Sequence, residues 1–402
     1  MFNNNLRKFL LADLISQFGA GMTMSATSWF ILDKTGSNEL VALTFGFNVF
    51  SGLIMSIFSG IIVDRFSRKA IVIFSLILRG MLITIPMLLL SSYGINKYFL
   101  FLLALNNGLG WNLYFPASKG LLQEITSKND LLKMNSGAEM TMQIGLFSAG
   151  AVAGVLYKVL GFNAILLIST ATMVLGAIII KLIKVEEDMR AANTTTGFIE
   201  LFKDGISFLS SNVYIFLFGL TMYIPFVAAS CYSVTLPGFV NKLLQGDSVI
   251  YGLVSMFYGI GACVAGLTVI GLSNKISQRI LITGGFVVAI FCGLFMFFTK
   301  SIIGTIAITF IVGLCGPGIR TIMYSLIMEI VPKSYLGRIM SVWNIISLGL
   351  QIIMTYLIGK TMDQIGASYG FFFYSLIMII GFIIYYFSSK FTVKKSSTEA
   401  SA

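Results

Sequence analysis

Long apolar runs separated by short polar segments dominate the chain, and each run is long enough to form a membrane-crossing helix. Such a helix needs about 20 mostly apolar residues. The runs lie at 9–32, 40–62, 71–92, 98–122, 136–157, 162–183, 213–237, 249–271, 280–299, 302–328, 339–359 and 369–388. The pattern predicts an all-α membrane protein with twelve transmembrane helices, six before a polar stretch and six after it.

The polar stretch between the two sets of runs has two parts. The segment KVEEDMRAANTTTG has the composition of a linker, and FIELFKDGISFLSS follows it. Helical spacing places Phe198, Leu201, Ile206 and Leu209 near one face, which predicts an amphipathic helix on the inner membrane surface. The expected organisation is an N-terminal six-helix bundle at 1–183, a cytoplasmic linker at 184–212, a C-terminal six-helix bundle at 213–390 and a cytoplasmic tail at 391–402.

The composition excludes an ordinary soluble protein. Hydrophobic residues make up 57% of the chain and charged residues 11%, whereas soluble domains carry about 25% charged residues. The net charge of +11 does not indicate nucleic-acid binding, because the basic residues stand at the ends of apolar runs and form no patch. Most of them lie in the loops on the side of the two termini. The positive-inside rule therefore predicts a multi-pass protein of the bacterial inner (cytoplasmic) membrane with both termini in the cytoplasm.

The residue types leave little room for metal or enzyme chemistry. The chain has no histidine, and its four cysteines show no metal-ligand spacing. No catalytic constellation or Walker sequence occurs, so we expect no metal, no cofactor and no enzymatic activity. Any proton chemistry must therefore use carboxylates.

Two segments of the first half recur in the second half. EITSKNDLLKMNS, from Glu124 to Ser136, matches EIVPKSYLGRIMS, from Glu329 to Ser341, and DRFSRK matches NKISQR more weakly. Each pair follows equivalent predicted spans. The repeat predicts two pseudo-symmetric bundles with a substrate site at their interface, an arrangement typical of alternating access by rocking.

The loop after the second predicted span carries a family motif. GIIVDRFSRK, from Gly60 to Lys69, resembles the G-x-x-x-D-R-x-x-R-K motif of the major facilitator superfamily. The resemblance implies the major facilitator fold and a latch that holds the two halves in the outward-facing state. That role is carried over to Gly60, Asp64, Arg65 and Arg68. The competing interpretation is that these residues only set topology.

Other segments narrow the resemblance. LISQFGAGM, NNGLGWNLYFPASKGLLQEI and PKSYLGRIMSV are similar to the twelve-span branch that includes macrolide efflux pumps and the enterobactin exporter. This implies a monomeric, proton-coupled exporter of amphipathic, macrolide-like drugs whose partners are its small-molecule substrate, protons and membrane lipids. Ala149-Gly150 departs from the Gly-Pro pair of exporters. Export of one endogenous metabolite, lipid or siderophore is the alternative.

Two carboxylates lie within predicted spans and are the candidates for proton coupling. Asp13 has Gln17 one turn on, and Glu139 has Gln143 one turn on, so each acid shares a helix face with an amide. Each acid has two interpretations, a proton acceptor in the transport cavity or a residue that suits a helix start. Glu139 is the preferred coupling residue.

Three cations also lie within predicted spans, and they leave an anionic or zwitterionic substrate open. Arg79 is the deepest and is expected either to pair with Asp13 or Glu139 or to contact substrate. Lys119 is the last of four residues spaced four positions apart, after Asn107, Trp111 and Phe115. This spacing places them on one helix face, which predicts either helix packing or cavity lining. In the second half, the remaining substrate-cavity candidates are Met222, Tyr223 and Arg320.

Overall fold

The computed structural model describes residues 4–126, 131–185, 198–273 and 275–399, which are helical apart from short turns and contain no strand. A π-helix at Asn106–Gly110 continues α4 into α5. The α-helices are α1 Asn4–Thr35, α2 Asn38–Arg65, α3 Arg68–Tyr93, α4 Lys97–Leu105, α5 Trp111–Glu124, α6 Leu131–Lys181, α7 Phe198–Ser211, α8 Val213–Lys242, α9 Ser248–Ser273, α10 Gln278–Phe298, α11 Ile302–Ile330, α12 Lys333–Ile365 and α13 Tyr369–Glu399.

Polar residues in the short connections begin the helices. The side chain of Ser37 accepts a hydrogen bond from the Leu40 backbone N–H at 3.0 Å, and that of Asn96 accepts from Tyr98 at 3.0 Å. These caps satisfy N–H groups that have no partner within the helix. Gly94 ends α3 with a φ of 78°, a conformation that favours glycine.

Nine helical stretches in the described ranges are long and apolar enough to cross a membrane. They are Asn38–Ser59, Arg68–Tyr93, Gly137–Lys181, Val213–Lys242, Ser248–Ser273, Gln278–Phe298, Ile302–Ile330, Arg338–Ile365 and Tyr369–Ser389. The multi-pass, all-α expectation is confirmed, whereas the exact number of twelve stays a prediction. Gly161, with φ 79°, breaks α6 between the predicted fifth and sixth spans. The predicted first and fourth spans correspond to α1 and to the run from α4 to α5.

The chain forms two compact units. Unit 1 contains Met1–Thr194 and Val240–Gly259, and unit 2 contains Thr195–Phe239 and Ile260–Ala402. Of the linker and tail expected from the sequence, residues 186–197 and 400–402 lie outside the described residues. The division into bundles at 1–183 and 213–390 stays a prediction.

In unit 1, α1 packs along α6 through small residues. A Cβ at Gly145 would lie 2.7 Å from the Leu14 carbonyl oxygen, and one at Gly21 would overlap the Leu146 carbonyl oxygen. Glycine therefore allows the two backbones to approach closely, as it does between helices in membranes. This packing fixes the position of the polar residues on α1.

The beginning of α9 also packs on α6 within unit 1. Ser248 Oγ donates a hydrogen bond to the Gly154 carbonyl at 2.7 Å, and a Cβ at Gly150 would lie 3.3 Å from Ser255 Cβ. Lys158 Nζ lies 2.6 Å from Asp247 Oδ2. The hydrogen bond from Lys158 holds the pKa of Asp247 below its usual value. Gly150 and Gly154 therefore allow the start of α9 to approach α6 closely.

In unit 2, the predicted amphipathic helix is present as α7 and packs against α12. Its Leu209 is buried, a Cβ at Gly205 would lie 3.0 Å from the Arg338 carbonyl oxygen, and Asp204 accepts a hydrogen bond from Arg338 at 3.1 Å. Ile206 is 45% exposed, because it lies about 100° around the helix from Gly205. The side chains of Phe198 and Leu201 lie outside the described part of the chain.

Candidate functional site

Asp13 is a buried carboxylate in unit 1, with 5% of its surface exposed. Its Oδ1 accepts hydrogen bonds from the Tyr114 hydroxyl at 2.8 Å and from Gln17 Nε2 at 3.5 Å. Thr141 Oγ1 lies 3.3 Å from Oδ2. The donors come from α5, α1 and α6, so the packing of three helices assembles the site. These contacts offset the cost of burying a polar group in an apolar surrounding.

A pocket opens beside this carboxylate, and we call it the Asp13 pocket. It holds about 240 Å³ of space free of protein atoms, its open mouth included. Asp13, Gln17, Trp111, Tyr114, Phe115 and Lys119 are among its lining residues. Three members of the stripe predicted on the fourth span thus face one pocket, together with the carboxylate. Their role in substrate binding stays a prediction.

Arg79 is fully buried near the same site and is held by amides. Its Nε donates to Asn106 Oδ1 at 3.3 Å and its Nη2 to Asn107 Oδ1 at 3.4 Å. The guanidinium carbon lies 6.0 Å from the centroid of the Tyr114 ring. Among the described residues Arg79 makes no ion pair, so the expected pairing with Asp13 or Glu139 does not occur. Amide oxygens and an aromatic face stabilise the cation instead.

The π-helix builds the surroundings of Arg79. It supplies both asparagines, and a Cβ at Gly110 would overlap the Arg79 side chain at Cγ. Short π-helical segments inside α-helices are frequently found at functional sites. The sequence NNGLG therefore provides two amide acceptors and the space that a large buried side chain needs.

Two nitrogen atoms in the surroundings of Arg79 have no hydrogen-bond partner within the described ranges. They are Arg79 Nη1 and Asn106 Nδ2, and both are buried. An unpaired buried donor costs about 1–3 kcal/mol.

Glu139 has a different environment from Asp13. It accepts a hydrogen bond from Gln143 Nε2 at 3.1 Å and lies 3.7 Å from Lys119 Nζ, and its side chain is 49% exposed. The expected pairing of Glu139 with Gln143 on one helix face is confirmed. Lys119 also lies over the Phe115 ring at 5.5 Å. Of the two coupling candidates, only Asp13 is buried.

The candidates of the second half lie in unit 2. The Arg320 guanidinium carbon is 4.9 Å from the centroid of the Phe226 ring, and the Tyr223 hydroxyl donates to the Met340 carbonyl at 3.3 Å. Met222 is buried in the core of this unit. These contacts describe packing, and a contribution of the three residues to substrate binding stays a prediction.

The predicted latch residues lie at the end of α2 and the beginning of α3. Gly60 and Asp64 are on α2, and their side-chain positions fall outside the described part, while Arg65 is exposed. Arg68 donates to the Gly120 carbonyl at 3.0 Å and lies 3.5 Å from Glu124 Oε1, so it binds the C-terminal end of α5 within unit 1. The latch itself stays a prediction.

A second pocket, the Thr27 pocket, lies between α1, α2 and the junction of α4 with the π-helix. Thr27, Thr44, Asn48 and Asn107 are among its lining residues. Asn107 connects it to Arg79, and Tyr114 connects Arg79 to Asp13. Two hydrogen bonds and the cation–π contact of Arg79 with Tyr114 therefore join the two pockets of unit 1.

Sequence reasoning missed three residues of this site, namely Tyr114, Asn106 and Thr141. Asn106 stands beside the predicted Asn107, and Tyr114 is three positions from Trp111, which is a helical neighbour. These spacings are signals that point to both residues. Thr141 approaches Asp13 only through the packing of α6 on α1.

A multi-pass helical chain with a buried carboxylate beside a polar pocket has the features of a membrane transporter. Comparisons with known proteins support this class and narrow it. The family profile described as transmembrane secretion effector matches residues 1–402, and the chain belongs to this family of major facilitators.

Two known relatives are similar over almost the whole chain. Macrolide efflux protein A of Streptococcus pyogenes is 22% identical over 390 residues, which cover 92% of this chain and 93% of that protein. The uncharacterized MFS-type transporter YkuC of Bacillus subtilis, strain 168, is 21% identical, with coverage of 96% and 92%. The resemblance to macrolide efflux pumps that the sequence motifs carry is confirmed.

Solved transporter structures share the fold at low sequence identity. A variant of the nucleoside transporter NupG has a TM-score of 0.80 at 12% identity and covers 96% of this chain and 100% of that one. A bacterial homolog of the human lysosomal transporter Spinster, in an inward-facing and unoccupied conformation, has a TM-score of 0.75 at 13% identity, with coverage of 98% and 99%. These likenesses establish the fold alone.

Proposed function

We propose that this chain is a proton-coupled exporter of amphipathic small molecules and that Asp13 carries the coupled proton. One observation carries the proposal: Asp13 is buried among donors from three helices and also lines a pocket. An ionisable residue inside a membrane-crossing helix is expensive, and its default interpretation is functional. The half-exposed Glu139, already paired with Lys119, fits this role less well.

Thr141 provides a way to hold Asp13 in both charge states. Its hydroxyl has two acceptors within reach, Asp13 Oδ2 at 3.3 Å and the Ala138 carbonyl at 3.0 Å. When Asp13 is ionised, Thr141 donates to the carboxylate. When Asp13 is protonated, Thr141 turns to Ala138 and accepts the new O–H. Protonation then leaves no buried group unpaired.

The proposed cargo follows from the pocket lining and from one relative. The Asp13 pocket combines the aromatic rings of Trp111, Tyr114 and Phe115 with polar groups, a combination that suits an amphipathic molecule. Macrolide efflux protein A, similar at 22% identity, supports macrolide-like compounds. The three cations within the predicted spans, Arg79, Lys119 and Arg320, favour the alternative, an anionic endogenous metabolite, lipid or siderophore.

The remaining expectations form one picture of the transporter. It is proposed to be a monomer in the bacterial cytoplasmic membrane, with twelve spans in two six-helix bundles and both termini in the cytoplasm. Alternating access would exchange protons for substrate, and the loop with Asp64, Arg65 and Arg68 would stabilise the outward-facing state. Substrate binding from the second half would involve Arg320.

Transport into proteoliposomes with an acidic interior tests the proposal. The panel holds a macrolide, a lipophilic cation and an organic anion, and the variants are Asp13→Asn and the matched Glu139→Gln. We expect the wild type and Glu139→Gln to accumulate the macrolide, and Asp13→Asn to lose at least about tenfold of this accumulation. Asp13→Asn keeps its binding, because an amide resembles the protonated acid.

The possible results separate the alternatives. Accumulation of the anion alone favours the metabolite exporter. Gradient-driven transport by Asp13→Asn at the rate of the wild type removes Asp13 from coupling. If no compound accumulates with any gradient, proton-coupled export is rejected.

A further inference from the structure

The hydroxyl of Tyr114 makes the shortest contact to the Asp13 carboxylate. Its oxygen lies 2.8 Å from Oδ1, the usual distance of an O–H···O hydrogen bond, whereas Gln17 Nε2 lies 3.5 Å from the same oxygen. Thr141 Oγ1 lies 3.3 Å from Oδ2. A hydrogen bond to an ionised group is about twice as strong as one between neutral groups. Tyr114 therefore makes the strongest of the three hydrogen bonds to ionised Asp13.

The ring that carries this hydroxyl is fixed by its neighbours. Tyr114 is 1% exposed, and its ring centroid lies 6.2 Å from that of Trp111 at an interplanar angle of 28°. The guanidinium carbon of Arg79 lies 6.0 Å from the Tyr114 centroid, and two asparagines of the π-helix bind Arg79 in turn. These contacts hold the hydroxyl in place against Asp13.

The two oxygens of the Asp13 carboxylate have different surroundings. Oδ1 accepts from the Tyr114 hydroxyl and from the Gln17 amide, so donors occupy both of its lone pairs. Among the described residues, Oδ2 is contacted by Thr141 Oγ1 alone, and a hydroxyl can donate or accept. A proton on Oδ2 therefore finds an acceptor in Thr141, whereas a proton on Oδ1 would point at the N–H of Gln17 or displace Tyr114.

We propose that Asp13 carries its proton on Oδ2 and that Tyr114 is the positioning residue of this proton, because its hydroxyl holds Oδ1 in both charge states. Tyr114 donates to a neutral carbonyl oxygen when Asp13 is protonated and to a carboxylate oxygen when Asp13 is ionised, where the bond is stronger. The hydroxyl thus favours release of the proton. The proposal rests on the proposed export function and names the atom and the residue that regulate its proton.

The charged groups around Asp13 stay in place when the hydroxyl is removed. Lys119 of α5 lines the same pocket, and its ammonium lies 3.7 Å from Glu139 of α6. Arg79 of α3 contacts the face of the Tyr114 ring. Tyr114→Phe keeps this ring and its contacts, so the variant changes one hydrogen bond to Asp13 and no charge.

Infrared titration of the purified full-length protein tests the assignment without transport. The carbonyl stretch of protonated Asp13 is the band that Asp13→Asn lacks, and its intensity and frequency are followed against pH. The variants are Tyr114→Phe and Gln17→Met. Tyr157→Phe is the matched control, because the Tyr157 hydroxyl also donates to a carboxylate, that of Asp33 at 2.9 Å, at an exposed position.

We expect the Asp13 band of Tyr114→Phe to persist to a pH about one unit higher than in the wild type, because the ionised form loses its strongest hydrogen bond. Gln17→Met should shift the titration by less than about half as much, since its contact is longer. Tyr157→Phe should leave the Asp13 band unchanged.

The frequency of the band reports which oxygen carries the proton. With the proton on Oδ2, the C=O oxygen is Oδ1, and the loss of its donor in Tyr114→Phe should move the band to higher frequency. With the proton on Oδ1, Tyr114→Phe would leave the frequency of the C=O group unchanged. This comparison needs no transported compound.

Macrolide accumulation in proteoliposomes connects the titration to transport. It is measured against pH while the pH difference across the membrane is kept constant. The pH profile of Tyr114→Phe should move in the same direction as its infrared titration and by the same amount. A merely structural role for Tyr114 would lower accumulation at every pH and leave both profiles in place.

Four results would overturn the proposal. They are an unchanged titration of Asp13 in Tyr114→Phe, an equal shift in Tyr157→Phe, an unchanged band frequency, and a shifted titration with an unmoved transport profile. In the last case, macrolide export by the wild type would keep proton-coupled export intact with another carboxylate as the carrier. If the wild type exports no compound with any proton gradient, the proposed function fails, and the infrared titration still decides whether Tyr114 acts on Asp13.

Discussion

At the residue scale, the central feature is a buried acid and a buried base that are not paired with each other. Asp13 is bound by hydroxyl and amide groups, and Arg79 by two asparagine oxygens, with Tyr114 in contact with both. Breaking a buried ion pair is strongly unfavourable, because one charge is left uncompensated. A carboxylate held by neutral donors changes its charge without that penalty, which suits a proton cycle.

The space around Arg79 depends on one glycine. A methyl group at Gly110 would overlap the Arg79 side chain, so we expect Gly110→Ala to lower stability by about 1–3 kcal/mol. Gly137 has open space around its Cβ position, and Gly137→Ala should be neutral or stabilising by up to about 1 kcal/mol. Thermal unfolding followed by tryptophan fluorescence measures both. Equal midpoints for the two variants would contradict the tight contact.

At the element scale, interruptions of regular helices decide how side chains are presented. The π-helix brings Asn106 and Asn107 to Arg79, and the break at Gly161 lets both halves of α6 contact α1. The amphipathic α7 packs against α12, and only part of the apolar stripe that the sequence indicates is buried. Leu209 is buried, whereas Ile206 is 45% exposed. Helix–helix packing therefore selects which part of an apolar face is covered.

Leu209 is a buried side chain of α7, the helix that packs against α12. Leu209→Ala removes a buried side chain, so we expect it to weaken the attachment of α7 by about 2 kcal/mol or more. Ile206→Ala, on the same helix but 45% exposed, is the matched control and should have little effect. Amide hydrogen exchange of 198–211 in detergent reports both. Faster exchange for Ile206→Ala than for Leu209→Ala would show that α7 is held by another face.

At the scale of the whole molecule, chain order and compact units do not coincide. The segment Val240–Gly259 belongs to unit 1, although the chain on both sides of it belongs to unit 2. Ser248, Asp247 and Ser255 attach it to α6 through the Gly150–Gly154 region. The helix α9 therefore begins in unit 1 and continues in unit 2 from Ile260.

A disulfide across this attachment tests whether transport needs it to open. The Cβ position of Gly150 lies 3.3 Å from Ser255 Cβ, close to the roughly 3.5–4.5 Å found in disulfides. In a background without Cys231, Cys263, Cys292 and Cys315, we expect Gly150→Cys with Ser255→Cys to cross-link on oxidation. Macrolide accumulation in proteoliposomes should then fall at least about tenfold and return with reductant.

The single-cysteine variants are the controls, and oxidation should leave their transport unchanged. Full transport by the cross-linked protein would show that α6 and α9 stay together throughout the cycle. Failure to cross-link would contradict the geometry of Gly150 and Ser255.

Neighbours along one helix could be predicted, and neighbours across helices could not. The spacing of four residues placed Glu139 beside Gln143 and Asp13 beside Gln17, as the structure shows. The same reasoning proposed an ion pair for Arg79, because it considered only charged residues as partners. It did not consider the neutral Asn106 or Tyr114. It also preferred Glu139 over Asp13, since burial cannot be read from position within an apolar run.

The sequence by itself determined that the chain is a helical, multi-pass membrane protein with the motifs of a major facilitator, because lipid demands long apolar runs and those runs are visible one residue at a time. It also supplied the short list of residues with charge in that apolar setting. Tertiary structure alone decided that Asp13 is enclosed by Tyr114 and Thr141 and that Arg79 is bound by amides. These contacts join residues that are distant in the chain, and their distances depend on how the helices pack.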